Sequence, residues 1–252
     1  MVWYKSWLDT RWRFLIGFVI LAVLACGIVV SYNVSASLLP ELSKRPVDTS
    51  TTAGRLLGEV IRLEQTYRGF VWVQWFRQNL LQTGTLFAVL LGSGSILSSG
   101  KSGLFTLSLP ASRGEWMTAR AATGLGEFFV LATVPSLAIP ALSPMIGQHY
   151  SIVDLVAHGV CFFIAAAVFY SLAFLLSTIF NDTWRPLAIA TGIACVVGLA
   201  EGLLGLKGVF HVMSGYDYFA SGSFPWAGLL SSAVLSAALL GGAALNVARK
   251  DF

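Results

Sequence analysis

Six long apolar runs, at residues 14–32, 79–98, 121–142, 155–180, 186–206 and 225–247, decide what this 252-residue chain can fold into. Each is close to the roughly 20 residues that a helix needs to cross a bilayer core. Of the chain's 16 Lys or Arg and 12 Asp or Glu residues, only Glu127 and Glu201 fall inside these runs. Charged residues make up 11% of the chain, less than half the roughly 25% usual for a soluble domain, which argues against a soluble enzyme. An unpaired backbone amide in hydrocarbon costs several kcal/mol, so a spanning segment is a helix or part of a closed barrel. Runs of this length without alternating polarity select helices. The expected fold is therefore all-α: a polytopic membrane protein in which six transmembrane helices form one domain over residues 1–252.

Basic residues give the expected orientation. With the amino terminus inside, the inner segments carry Lys5, Arg11, Arg13, Lys101, Arg113, Arg120, Arg185, Arg249 and Lys250. The outer segments, 33–78, 143–154 and 207–224, carry fewer in a greater length, as the positive-inside rule expects. This places both termini in the cytoplasm and the chain in the inner (plasma) membrane. The net charge of +4 mainly records that orientation, and no basic arm points to nucleic acid. Val34-Ser35-Ala36 offers a signal-peptide cleavage site, but a 19-residue apolar core exceeds the 7 to 15 residues typical of a signal. Cys26, Cys161 and Cys195 all lie inside the runs, which implies neither a disulfide framework nor a redox pair.

The connecting segments are richer than linkers. On a helical wheel Trp3, Tyr4, Trp7, Leu8 and Trp12 fill one half of residues 3–13, opposite Lys5, Ser6, Asp9, Thr10 and Arg13. This predicts an interfacial helix with Arg11 snorkelling from its apolar arc; a plain aromatic anchor before a span fits the spacing equally well. Leu56, Val60, Leu63 and Tyr67 recur at helical spacing, with Arg55/Glu59 and Glu64/Arg68 at i,i+4, which predicts an outer surface helix over 52–68. The run Phe70 to Phe76 reads either as an interfacial aromatic belt or as the first turns of a second span that buries Arg77; we favour a long helix entered through the belt. In the loop 99–120, Pro110 ends one short helix, and Ser112 with Glu115 three residues on forms a capping box that starts another. Leu104, Phe105 and Leu107 on this cytoplasmic elbow need a partner surface. Asn181 to Pro186 reads as a helix stop and cap. The outer segment 207–224, rich in aromatic residues and glycine, is a candidate re-entrant loop.

Chemical motifs are sparse. Gly94 to Ser102 superficially resembles a phosphate loop, but its spacing is one residue too long and no soluble strand precedes it. His149, His158, His211 and the cysteines make no recognised zinc spacing, so no metal site is expected. An intramembrane hydrolase using Ser93 or Ser95 with His158 is an alternative, although the glycines of Gly92-Ser93-Gly94-Ser95 stand one position out for such a nucleophile. Glu127 and Glu201 remain open between interface solvation, an inter-helix hydrogen bond, and a proton or substrate site. No catalytic residue is otherwise expected.

At the elbow loop, Thr106-Leu107-Ser108-Leu109-Pro110-Ala111-Ser112-Arg113 resembles the coupling segment of ABC transporter permeases of the type 2 export family. The resemblance extends over nearly the whole chain. It includes Trp3 to Arg13, Trp72-Val73-Gln74-Trp75-Phe76, and Leu176-Ser177-Thr178-Ile179-Phe180 leading to Trp184-Arg185-Pro186. It implies a dimerising exporter subunit, its second copy identical or a paralogue, that docks separate ABC ATPase subunits. The implied coupling residues are Leu104, Phe105, Leu107, Ser112, Arg113 and Trp116, supported by Trp3, Trp7 and Arg11 of the interfacial helix. The chain itself would bind no cofactor, with ATP and Mg held by the partner ATPase. It also implies re-entrant helices in the outer loop 207–224. The large outer segment 33–78 departs from the shortest family members. A membrane scaffold without a transport cycle is the blander alternative.

Overall fold

The computed structural model describes residues 2–43, 52–94, 113–180 and 182–249. Its regular structure is helical, with no strand among the described residues. In chain order the helices are α1 (Val2–Ser43), α2 (Thr52–Glu64), α3 (Tyr67–Val71), a π-helix (Trp72–Gly84), α4 (Thr85–Gly92) and α5 (Arg113–Thr133). There follow α6 (Ala138–Leu142) between two 3-10 turns, α7 (Ile152–Ile179), α8 (Trp184–Leu204), the short α9 (Val209–Ser214) and α10 (Tyr216–Ser221), and α11 (Trp226–Arg249).

Five stretches are long and apolar enough to cross a membrane: Val2–Leu38, Gly114–Ile146, Ile152–Ile179, Trp184–Leu204 and Trp226–Arg249. These are compatible with a multi-pass membrane protein. Six were expected, and the run at 79–98 is not among these five. It lies in the continuous segment α3–π–α4, whose π-helical part carries Gln74, Arg77, Gln78, Asn79 and Gln82; residues 95–98 fall outside the described ones. The helix starts at Tyr67, earlier than the start near residue 70 that the aromatic run suggests, and its aromatic residues are not a belt. Phe70, Trp72, Trp75 and Phe76 are buried. The indole of Trp72 donates to the Ser214 carbonyl at 2.9 Å, and that of Trp75 to Ser136 Oγ at 2.9 Å. Buried indoles need such partners. Arg77 is only half-buried, with its guanidinium 5.7 Å from the centre of the Trp72 ring.

α1 also departs from expectation. It has 42 residues without interruption, about 63 Å of helix at 1.5 Å per residue, twice the roughly 30 Å hydrocarbon thickness. Residues 3–13 are therefore the first turns of the same rod as the apolar run 14–32, not a separate element. Their two faces are those of the wheel, but the polar one points inward: Ser6 and Thr10 are buried while Trp3, Tyr4, Trp7 and Trp12 are exposed. The surface helix expected at 52–68 is shorter: α2 ends at Glu64, with Val60 and Leu63 packed against the core, and Tyr67 and Arg68 open α3 after the Thr66 cap.

Cross-helix contacts fix the directions. Lys5 of α1 lies over Trp116 of α5, Asp9 faces Arg120 and Thr10 faces Glu127, so α1 and α5 run parallel. Arg13 reaches the Leu90 carbonyl, so the segment Tyr67–Gly92 runs back beside them. The Tyr170 hydroxyl donates to the Ala121 carbonyl, which makes α7 antiparallel to α5. Ser171 donates to Ser236, and Asn246 donates to both the carbonyl and the hydroxyl of Thr178, which sets α11 parallel to α7. The start of α1 and the end of α11 consequently lie at one end of the bundle.

α7 is the central helix: 67% of its most apolar window is buried, against 11% for α8. Phe162, Ala165, Ala166, Tyr170, Ala173 and Phe174 form its inner face. Two glycines let the α3–π–α4 segment approach it. A Cβ at Gly84 would overlap the Phe162 ring, and one at Gly92 would overlap the Tyr170 carbonyl. Close backbone approach at small residues is how helices associate where lipid supplies no hydrophobic drive. Gly126, on α5, faces open space. We therefore expect Gly92→Ala to destabilise the chain by about 1–3 kcal/mol through overpacking against rigid backbone. Gly126→Ala should be neutral or stabilising. Denaturant unfolding in detergent micelles reads both, and equal effects would refute the packing assignment.

Candidate functional site

The densest polar cluster sits where α1, α4 and α5 meet at the end of the bundle that holds the start of α1. Thr10, Arg13, Arg120 and Glu127 project into it because each lies on the helix face turned to its neighbours, with Asp9 at its edge. Thr10 Oγ1 donates to Glu127 Oε1 at 2.7 Å. Arg13 Nη1 donates to the Leu90 carbonyl at 3.0 Å, satisfying one of the carbonyls left over at the end of α4. Arg120, whose side chain is 5% exposed, pairs with Asp9 at 3.7 Å. Ser6 and Glu127 Oε2 are buried without hydrogen-bond partners among the described residues. The guanidinium of Arg11 lies 5.5 Å from the Trp12 ring centre. Of the residues expected to couple to a partner, Trp3, Trp7, Arg11 and Trp116 adjoin this end. Leu104, Phe105, Leu107 and Ser112 lie outside the described residues, as does the side chain of Arg113.

Glu127 is thus an inter-helix hydrogen-bond acceptor, one of the alternatives the sequence left open. Glu201 has a different task. Its carboxylate accepts the backbone N–H groups of Phe210 at 3.2 Å and His211 at 3.1 Å, capping the short helix α9. This is the ordinary use of an acid at a helix start. Gly208 lies beside it, where a Cβ would meet the Glu201 carboxylate and displace it from those amides.

The segment 207–224 folds as α9 and α10, separated by Gly215 at φ 62° and ended by Gly222 at φ 73°. Met213 is fully buried, Phe219 stacks on Trp72 at 4.6 Å, and Gly215 lies against His158. Protein covers this loop on the side of α7 and the π-helix. Beside it, Arg68 pairs with Asp154 at 2.7 Å, and Tyr218 donates to the same carboxylate at 3.3 Å. Burial pushes the Tyr150 hydroxyl pKa up, and the Asp154 charge adds to the shift.

Among the described residues, Ser93 and His158 are not brought together. The imidazole of His158 is bonded through Nδ1 to the Asp154 carbonyl and stacks on Phe76. Ser93 Oγ donates to its own helix at Leu90. Gly92, beside Ser93, packs on Tyr170, twelve residues along α7 from His158, or about 18 Å of helix rise. Ser95 lies outside the described residues. Nor do the described residues hold any group of three or more potential metal ligands.

A cavity of about 520 Å³ opens between the π–α4 segment and α8. Leu81, Thr85 and Val89 form one wall, Ala194 and Gly198 the other, and Phe210 of α9 closes one end. Its size suits a drug-sized or lipid-like molecule. Neither this groove nor the Thr10–Glu127 contact was read from the sequence. The spacing of Ser6, Thr10 and Arg13 signalled the contact, but the stripe was assigned to water.

No family model, curated protein or solved structure matches this chain. What the site does therefore rests on its residues.

A double-mutant cycle tests the inter-helix bond. Thr10→Val and Glu127→Leu should each destabilise the chain, with a coupling of about 0.5–2 kcal/mol between them. Additive effects would mean that the two side chains do not interact. Separately, Glu201→Ala should loosen α9 and raise hydrogen exchange at the Phe210 and His211 amides, leaving that of α5 unchanged.

Proposed function

We propose that the chain is the permease subunit of an ATP-driven exporter of the ABC type 2 export class. In this reading the Tyr67–Gly92 segment is a sixth crossing, both termini are cytoplasmic in the inner membrane, and two copies or paralogues enclose the substrate path. Separate ATPase subunits, holding ATP and Mg, dock on the loop 99–120 and the start of α1. The chain performs no covalent chemistry.

One observation carries the reading: the start of α1 and the helix leaving the elbow loop are clamped together. Lys5 with Trp116, Asp9 with Arg120 and Thr10 with Glu127 join them over three successive positions, and Arg13 ties the end of α4 to the same unit. A load applied to the loop is thus delivered to three helices at once. That is the mechanical requirement for turning closure of two ATPases into a rigid-body tilt of the membrane domain. The elbow sequence from Thr106 to Arg113 supports the reading independently, as do the apolar helices. The groove beside α8 gives such a transporter a lateral apolar recess for cargo. The hydrolase alternative loses support from the separation of Ser93 and His158, and nothing specific favours a scaffold.

The test uses the full chain with the ATPase encoded in a neighbouring reading frame, recognised by a correctly spaced phosphate loop. Phe105→Asp should abolish co-purification of the pair and the stimulation of ATP hydrolysis. Unchanged association would overturn the assignment. Ser93→Ala and Ser95→Ala should leave both ATPase association and the chain's activity intact; loss of activity on those substitutions with normal ATPase association would favour the membrane-embedded enzyme.

A further inference from the structure

We propose that Arg13 and Arg120 form a binding site for a phosphate group, most naturally that of an anionic lipid headgroup. The two guanidinium groups converge on one point, the backbone at Gly94. A Cβ placed there would overlap Arg120 Nη2 and lie 3.4 Å from Arg13 Nη1. Arg120 is nine-tenths buried or more, yet it makes no hydrogen bond among the described residues. Its nearest carboxylate oxygen, on Asp9, stands at 3.7 Å, beyond hydrogen-bond range. Arg13 spends one donor on Leu90. Arg120 Nη2 and Arg13 Nη1 thus approach the same backbone position, and among the described residues the Leu90 carbonyl is the one acceptor either guanidinium reaches within hydrogen-bond distance.

Both arginines carry like charge, and their proximity is unfavourable without an anion. Asp9 is half-exposed at the rim. Glu127 is seven residues further along α5, about 10 Å deeper by helix rise, and is engaged by Thr10. Neither acid accepts a hydrogen bond from Arg13 or Arg120. A tetrahedral phosphate would accept from both, because its oxygens can meet two guanidinium planes at once, the geometry for which arginine is suited over lysine.

The position along the bundle selects the source. Arg13 immediately precedes the apolar run 14–32, and Arg120 immediately precedes the run 121–142. Both sit at the level where hydrocarbon gives way to headgroups, where basic pockets between helices recognise lipid phosphate. Trp12 and Trp7 stand exposed on the outer face of the same turns of α1, as interfacial anchors do. The inference does not depend on the exporter reading, and loss of ATPase coupling would leave it standing.

Native mass spectrometry of the full chain in detergent tests it with three probes: dioleoyl phosphatidylglycerol, dioleoyl glycerol with the same tails and no phosphate, and inorganic phosphate. Phosphatidylglycerol should be retained and should raise the unfolding midpoint of the unaltered chain, while dioleoyl glycerol should do neither. Arg13→Gln and Arg120→Gln should each weaken retention about tenfold, the value of one charge-assisted hydrogen bond. Arg120→Lys should fall between. Competition by millimolar inorganic phosphate would assign the site to the bare anion, and no competition to the lipid headgroup. Equal retention of phosphatidylglycerol and dioleoyl glycerol, or no midpoint shift with the unaltered chain, would overturn the proposal. The midpoint measurement decides the matter even if Arg120→Gln does not fold.

Discussion

Five helices are apolar enough to lie in lipid, which offers no hydrogen bonds, and the placement of the bundle's polar groups is what that constraint demands. Apolar faces are free to point outward, so polar side chains gather where helices meet. Thr10 and Ser6 are buried while neighbouring tryptophans are exposed, the reverse of a soluble amphipathic helix. The same rule accounts for the two acids in the apolar runs. Glu127 finds a threonine on another helix, and Glu201 finds two backbone amides at the start of α9. Each lies where a neighbouring element supplies donors, and each fixes the approach of that element as a result.

The α3–π–α4 segment shows the constraint acting on backbone geometry. In the π-helical part the i→i+5 register widens the repeat, and Trp72, Phe76, Leu80 and Gly84, four residues apart, share the buried face. The side-chain amide of Asn79 donates back to the carbonyl of Gln74, five residues earlier, at 2.6 Å. Two large indoles are thereby turned toward acceptors on Ser214 and Ser136, at distances that leave neither N–H unpaired. Such stretches are uncommon and concentrate at functional sites. This one also supplies Leu81 and Gln82 to the wall of the groove.

The helical fold was legible because apolar length is a strong signal: five of the six runs stand as helices able to cross a membrane. The sixth lies in a segment whose π-helical part and polar residues apolar length does not signal, and Trp72 and Trp75 resemble headgroup anchors until their partners are known. The wheel of residues 3–13 separated the faces of α1 correctly and assigned the polar one to the wrong side. Only the positions of α4 and α5 decide that Thr10 and Arg13 look inward. Likewise Glu201 and the N–H groups it caps are nine and ten residues apart in sequence, a separation at which no local periodicity applies. The groove beside α8 is a property of two helices and was not expressed in either alone.

The same contacts locate where the bundle can yield. α1 is tied to the α3–π–α4 segment near both ends, by Arg13 on the Leu90 carbonyl and by Tyr32 against the rings of Tyr67 and Phe70 at 4.8 and 5.2 Å. α5 joins them through Asp9 and Thr10, so these three helices form one body. α8 is held differently: its surface is mostly exposed, and small residues, Ala194 and Gly198, face the groove. Small side chains present low ridges, which lets one helix slide on another with little repacking, the shear mode of helix motion. In an exporter driven from the elbow loop, the rigid body would carry the load and the α8 boundary would open, and that is where the apolar recess lies.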